Sequence, residues 1–127
     1  MFRPRSPARV TAEFAAEALG LPVLLDDDLK EVRFGVQEGQ PMSDWYGDWI
    51  AGRFTPEGGE TFAALQRRAV AAVNRATAHP PAVLIVAHGA PFRSLRAAMG
   101  LDVNQRTQNA VPLFCDPGPE GWTIRVR

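Results

Sequence analysis

Val83-Leu84-Ile85-Val86-Ala87-His88-Gly89-Ala90-Pro91 decides the fold: five apolar residues in succession, then a histidine, a glycine and the start of a helical pattern. An unbroken apolar run of this length reads as a strand covered on both faces, as in a parallel sheet, because a half-exposed strand would alternate. Behind it, Pro91 to Met99 predicts a helix that buries Phe92, Leu95 and Met99 and stops at Gly100. Ligands of open α/β sheets sit at the carboxyl ends of the strands, and His88 occupies such an end. Gly89 permits close backbone approach, and the first free N–H groups of the helix point to the same place, which makes an anion site suited to a phosphoryl group. Taken alone, the stretch equally allows His88 to be a polar strand end bonded to a loop.

Working outward, Thr61 to Ala78 carries Phe62, Leu65, Ala69, Val73 and Ala76 at three- and four-residue spacing, one amphipathic helix ended by His79-Pro80-Pro81. His79 reads as a solvated helix end. Gly35 to Gly59 is rich in Gly, Pro and aromatics without a period, an irregular excursion over the site. Its Trp45, Tyr46, Trp49 and Phe54 either shape a substrate pocket or pack under a loop. Ser6 as N-cap and Pro7 at the first helical position open a helix to Leu19, which Gly20 and Pro22 stop. Val23-Leu24-Leu25 reads as a short buried strand. Val111 to Cys115 and Trp122 to Val126 form a hairpin around Pro117-Gly118-Pro119-Glu120-Gly121. The order of elements indicates an α/β layer fold. On the helix after His88, Arg96 reads as a surface residue, and Arg93 fits either the surface or the site.

The chain has 127 residues, 46% of them apolar, enough for one core, so residues 1–127 read as a single domain. Fourteen basic residues balance fourteen acidic ones, which removes any whole-chain field toward nucleic acid or an anionic membrane; an anion site must be local. Every basic residue except Lys30 is arginine, a bias that suits bidentate recognition of phosphate but equally reflects a GC-rich genome. Cys115 is the single cysteine, which excludes an intrachain disulfide and a thiolate metal cluster and fits a reducing compartment, the cytoplasm. No apolar h-region follows Met1-Phe2-Arg3-Pro4-Arg5, and no apolar run approaches the roughly 20 residues of a membrane span. Asp26-Asp27-Asp28 reads as a solvated turn, since three consecutive acids rarely converge on one magnesium ion. No metal or cofactor is expected.

Four blocks stand in a telling order: Ser6-Pro7-Ala8-Arg9-Val10-Thr11-Ala12, Leu29-x-Glu31-x-x-x-Gly35-x-x-Glu38-Gly39, Gly58-Gly59-Glu60-Thr61-Phe62, and Val86-Ala87-His88-Gly89. Together they resemble the histidine phosphatase superfamily, also called phosphoglycerate mutase-like, over nearly the whole chain. The resemblance implies an α/β three-layer sandwich with a mostly parallel sheet. It also implies metal-independent phosphoryl transfer or phosphomonoester hydrolysis on a phosphorylated small molecule, through phosphohistidine. It gives His88 the role of the second, phosphate-binding histidine, Glu31 that of proton donor and Gly89 a place against the substrate. Arg9 and Arg5 are weaker matches to the phosphate-binding arginine, whose own position holds Pro7. For Glu31 the residues alone leave a solvated loop charge as the alternative to a general acid.

The family's first strand, ending in Arg-His-Gly, supplies the nucleophile and precedes the Ser-Pro block by tens of residues; almost nothing precedes Ser6 here. The expectation is a chain truncated at the N-terminus relative to the family, lacking the first strand and helix and inactive or severely impaired alone. The alternative is a non-catalytic module that binds a phosphate ligand or regulates, and a third is an oligomerisation domain. Losing a central strand would expose sheet edges, which predicts a homodimer or a poorly soluble species.

Overall fold

The computed structural model describes residues 6–41, 44–80, 83–105 and 111–126. Helix α1 spans Pro7–Leu19: Ser6 Oγ accepts the Arg9 N–H at 3.2 Å, and Gly20, at φ 68°, closes the far end. Helix α2 is a short piece, Tyr46–Ile50. Helix α3 spans Phe62–Thr77, capped by Thr61 Oγ1 on the Ala64 N–H at 3.0 Å, and helix α4 spans Gly89–Ala98. Strands β1, Leu113–Gly118, and β2, Gly121–Val126, form an antiparallel hairpin in register from Leu113 opposite Val126 to Gly118 opposite Gly121. Its turn is tighter than expected because both strands run on into the Pro-Gly segment.

Helix α3 buries Phe62, Leu65, Ala69 and Ala72 and packs against α4, the two alanines leaving room for close approach. Ser94 is fully buried at that contact; its hydroxyl donates to the Pro91 carbonyl at 2.6 Å, and its own carbonyl accepts from Gln66 Nε2 at 3.3 Å. The core proper gathers on Trp49, which has no exposed surface. Phe34 and Phe62 meet its ring edge-on at centroid distances of 4.9 and 5.2 Å, and Val32 and Leu65 complete the cluster. The Trp49 indole N–H, which burial would otherwise leave without water, donates to the Glu60 carbonyl at 2.9 Å.

Two glycine-bearing segments cross beside this cluster. Phe34 bridges Gly59, the Glu60 N–H donates to the Arg33 carbonyl at 2.9 Å, and the Val36 N–H donates to the Glu57 carbonyl at 3.0 Å. A Cβ at Gly35 would strike the Glu57 carbonyl oxygen, and Gly35 also sits at φ 56°, so only glycine is comfortable there.

Two predicted strands do not form. Val23-Leu24-Leu25 belongs to no sheet, and Leu24 and Leu25 are exposed. Val83 to Ala87 is likewise outside any sheet, with Val83 and Leu84 exposed rather than covered. A strand exists only through hydrogen bonds to its neighbours, and among the described residues none lies alongside either run. The mostly parallel sheet is therefore not observed; the sheet that is present is the two-stranded hairpin. Helix α1 buries none of its side chains. No helix among the described residues is long and apolar enough to cross a membrane.

Candidate functional site

Glu31 reaches the site because the chain before it is fastened from below. Arg68, on α3, donates from Nη1 to the carbonyls of Asp28 and Lys30, both at 2.7 Å, and from Nη2 to the Glu31 carbonyl at 3.2 Å. The same guanidinium holds Glu60 through both carboxylate oxygens, at 2.6 and 3.0 Å, and Glu60 Oε1 also accepts the Arg33 N–H at 3.1 Å. Burial would push the Glu60 carboxyl up, but the Arg68 hydrogen bonds, the Arg33 N–H and the charges of both arginines hold it below its ordinary value. Glu38 ties the next turn, its Oε1 accepting the Phe34 N–H at 3.2 Å.

Above this scaffold, Glu31 Oε2 lies 3.7 Å from His88 Nδ1, an ion pair when the imidazole is protonated. Its other oxygen accepts the Val32 N–H at 2.9 Å. Helix α4 begins earlier than expected, at Gly89, which makes His88 the N-cap residue itself, in extended geometry with no side-chain cap bond. The imidazole is thereby left free of the helix, next to the N–H groups of Gly89 and Ala90, which have no acceptor among the described residues. Gly89 and Ala90 line a cavity of about 250 Å³ together with Glu31, Tyr46, Arg93 and Arg96.

Arg93 lies over the Tyr46 ring at 5.2 Å. Burial raises the Tyr46 hydroxyl pKa, with Glu31 adding to the rise and Arg93 opposing it, so the phenol stays a protonated donor at neutral pH. Arg96 corrects the sequence reading: it is buried, at 6% exposure, not a surface residue. Its Nη1 donates to Gln105 Oε1 at 3.3 Å, its guanidinium lies 5.0 Å from the Phe92 ring, and its Nε–H has no acceptor among the described residues. Nothing in the motifs pointed to Arg96 or Gln105. The available signal was the three-residue step from Arg93 to Arg96, which places both on one helix face.

The remaining candidates lie elsewhere. Arg9 Nε pairs with Glu13 Oε1 at 3.2 Å, one turn along α1, and Arg9 does not line the cavity. Arg5 lies outside the described residues. His79 is exposed in the turn after α3. Asp26 and Asp28 are not simply solvated: both clamp Arg75, at 2.9 and 2.6 Å, and Arg75 holds the Asp26 carboxyl low. Of the excursion's aromatics, Trp49 is core and Tyr46 lines the cavity. Trp45 packs edge-on against Phe34 at 5.1 Å and lies 6.2 Å from Phe54.

The class is set by the fold. It is α/β and phosphoglycerate mutase-like, matching the crystal structure of the alpha-ribazole phosphatase from Shigella flexneri with a TM-score of 0.65 at 22% identity, over 94% of this chain and 67% of that one. The chain belongs to the histidine phosphatase superfamily: residues 4–116 match the model of its branch 1. A bifunctional protein of Mycobacterium tuberculosis and an uncharacterized protein of Mycobacterium bovis are each 34% identical to it over 102 residues, 72% of this chain. The chain spans 28% of the length of these relatives.

Proposed function

We propose that the chain provides the phosphate-binding and proton-donating side of a histidine phosphatase site and takes a phosphorylated small molecule. The observation that carries this reading is the meeting of Glu31 and His88, 3.7 Å apart, at the open N-terminus of α4. Phosphoryl oxygens bound there would take the free N–H groups of Gly89 and Ala90 and a proton-bearing imidazole nitrogen. These fixed donors need no reorganisation as charge builds on the phosphoryl group. In this reading Glu31, half exposed beside His88, protonates a leaving oxygen. Gly89 keeps the approach open, and Arg9 and Arg5 are secondary candidates for phosphate contact. The chemistry uses no metal or cofactor in this reading, and the exposed thiol of Cys115 suits a reducing, cytoplasmic setting.

The chain has two histidines; His88 meets Glu31 while His79 is exposed after α3, so a site built on the pair of Glu31 and His88 has one imidazole where phosphohistidine chemistry with an assisting histidine needs two. This favours binding without turnover in the isolated chain, as a docking or regulatory module, with hydrolysis or phosphoryl transfer belonging to a site completed by further residues. Thermal melts with millimolar phosphate or vanadate test the reading. The chain is expected to be stabilised and His88→Ala to lose the effect, whereas no shift in the unsubstituted chain would reject the site. A generic phosphomonoester should show no hydrolysis above background; turnover that disappears in His88→Ala would overturn the inactivity.

A further inference from the structure

Among the described residues Arg96 is a buried cation whose Nε–H has no acceptor and whose one hydrogen bond, to Gln105, is long at 3.3 Å. Buried donors in folded proteins are otherwise bonded, and an arginine kept from water without a counter-ion is costly, so such a group marks a place where an acceptor belongs. The helix shows where. Side chains of an α-helix lean toward its N-terminus and residues three apart share a face, so Arg93 and Arg96 stack along α4 and lean back toward Gly89 and Ala90. All four line the same cavity. The carboxylate that also lines it, Glu31, is engaged by the Val32 N–H and faces His88. With two guanidiniums and a helix N-terminus against one carboxylate, the cavity keeps an excess of positive charge.

On the reading that a phosphoryl group sits at the N-terminus of α4, we infer that Arg96, backed by Arg93, forms a second anion subsite. It takes an oxyanion, a carboxylate or a further phosphate, carried by the same molecule. The two positions are compatible with one small ligand: eight residues separate His88 from Arg96, about 12 Å of helix rise, and the arginine stem spans much of that distance back. A cavity of about 250 Å³ suits a molecule of this size.

Calorimetric titration of the intact chain with ethyl phosphate, 2-phosphoglycolate and ethylene glycol bisphosphate tests the subsite. At least one of the two ligands that carry a second anionic group should bind about tenfold tighter than ethyl phosphate, an advantage of about 1.4 kcal/mol; which of them does so tells carboxylate from phosphate. Arg96→Met should bring that ratio close to one. Should Arg96→Met fail to melt cooperatively, Arg96→Lys, which keeps the charge and loses the planar fork, should lower the ratio severalfold. Equal affinity for all three ligands in the unsubstituted chain, or a ratio unchanged by either substitution, overturns the subsite and leaves the phosphate reading standing. Binding of none of them rejects the phosphate reading and the subsite with it.

Discussion

Glu60 and Arg68 form an ion pair with side chains only 7% and 14% exposed, and the segment bearing Glu31 rests on it. Because the folded carboxyl of Glu60 titrates below its ordinary value of 4.5, the pair stabilises the fold fully above that value, and the contribution is lost as pH falls from there through the lowered folded value. Urea melts at pH 7 and pH 4 should therefore show a loss of stability in acid that is smaller in Glu60→Gln. Arg68→Met should cost about 3–5 kcal/mol at pH 7, since it leaves a buried carboxylate unpaired and the carbonyls of Asp28, Lys30 and Glu31 without their donor. A cost under about 1 kcal/mol would mean that water replaces the guanidinium freely. The structure brings the side chains of Glu31 and His88 to 3.7 Å of each other, and both were singled out in the sequence by motif order and the family resemblance. Arg68 was not, because its partners come from two distant segments. Arg96 was misread because a charge on a helix is usually solvated.

At the scale of elements, the crossing of residues 33–36 with 57–60 joins the excursion to the core. Gly35→Ala should destabilise by more than about 2 kcal/mol, combining left-handed backbone strain with a methyl forced against the Glu57 carbonyl. Gly20→Ala provides the control, for Gly20 also has a left-handed φ but open space around its Cβ direction, so only the strain contributes. Equal losses for the two in chemical denaturation would remove the close approach from the explanation. The short α2 lies in the stretch read as irregular, whereas helices α1, α3 and α4 were readable to within a few residues because a helix closes its hydrogen bonds within itself and α1 announces its start through the Ser6 cap. The two predicted strands were not, since Val83 to Ala87 shows how an apolar run can imply a neighbour without supplying one.

Over the whole molecule, much apolar surface faces water: Phe14 and Leu19 on α1, Leu21, Leu24 and Leu25 after it, and Leu84 in the run before His88. Surface of this kind promotes association. Light scattering after size exclusion should give a mass above the 13.9 kDa of one chain, or material lost to precipitation. A sharp monomer peak with a cooperative melt would sink the expectation of a dimer.

By itself the sequence indicated the α/β class, the three longer helices and, through the resemblance, Glu31 and His88 as members of one site, because each of these follows from local backbone chemistry or from motif order. The tertiary structure alone decided which apolar runs find a partner, that Arg68 carries the Glu31 segment, and that Arg96 points inward beside Arg93. Strand pairing and the solvation of a charge depend on atoms brought close from distant parts of the chain, and neither is written in the spacing of neighbouring residues.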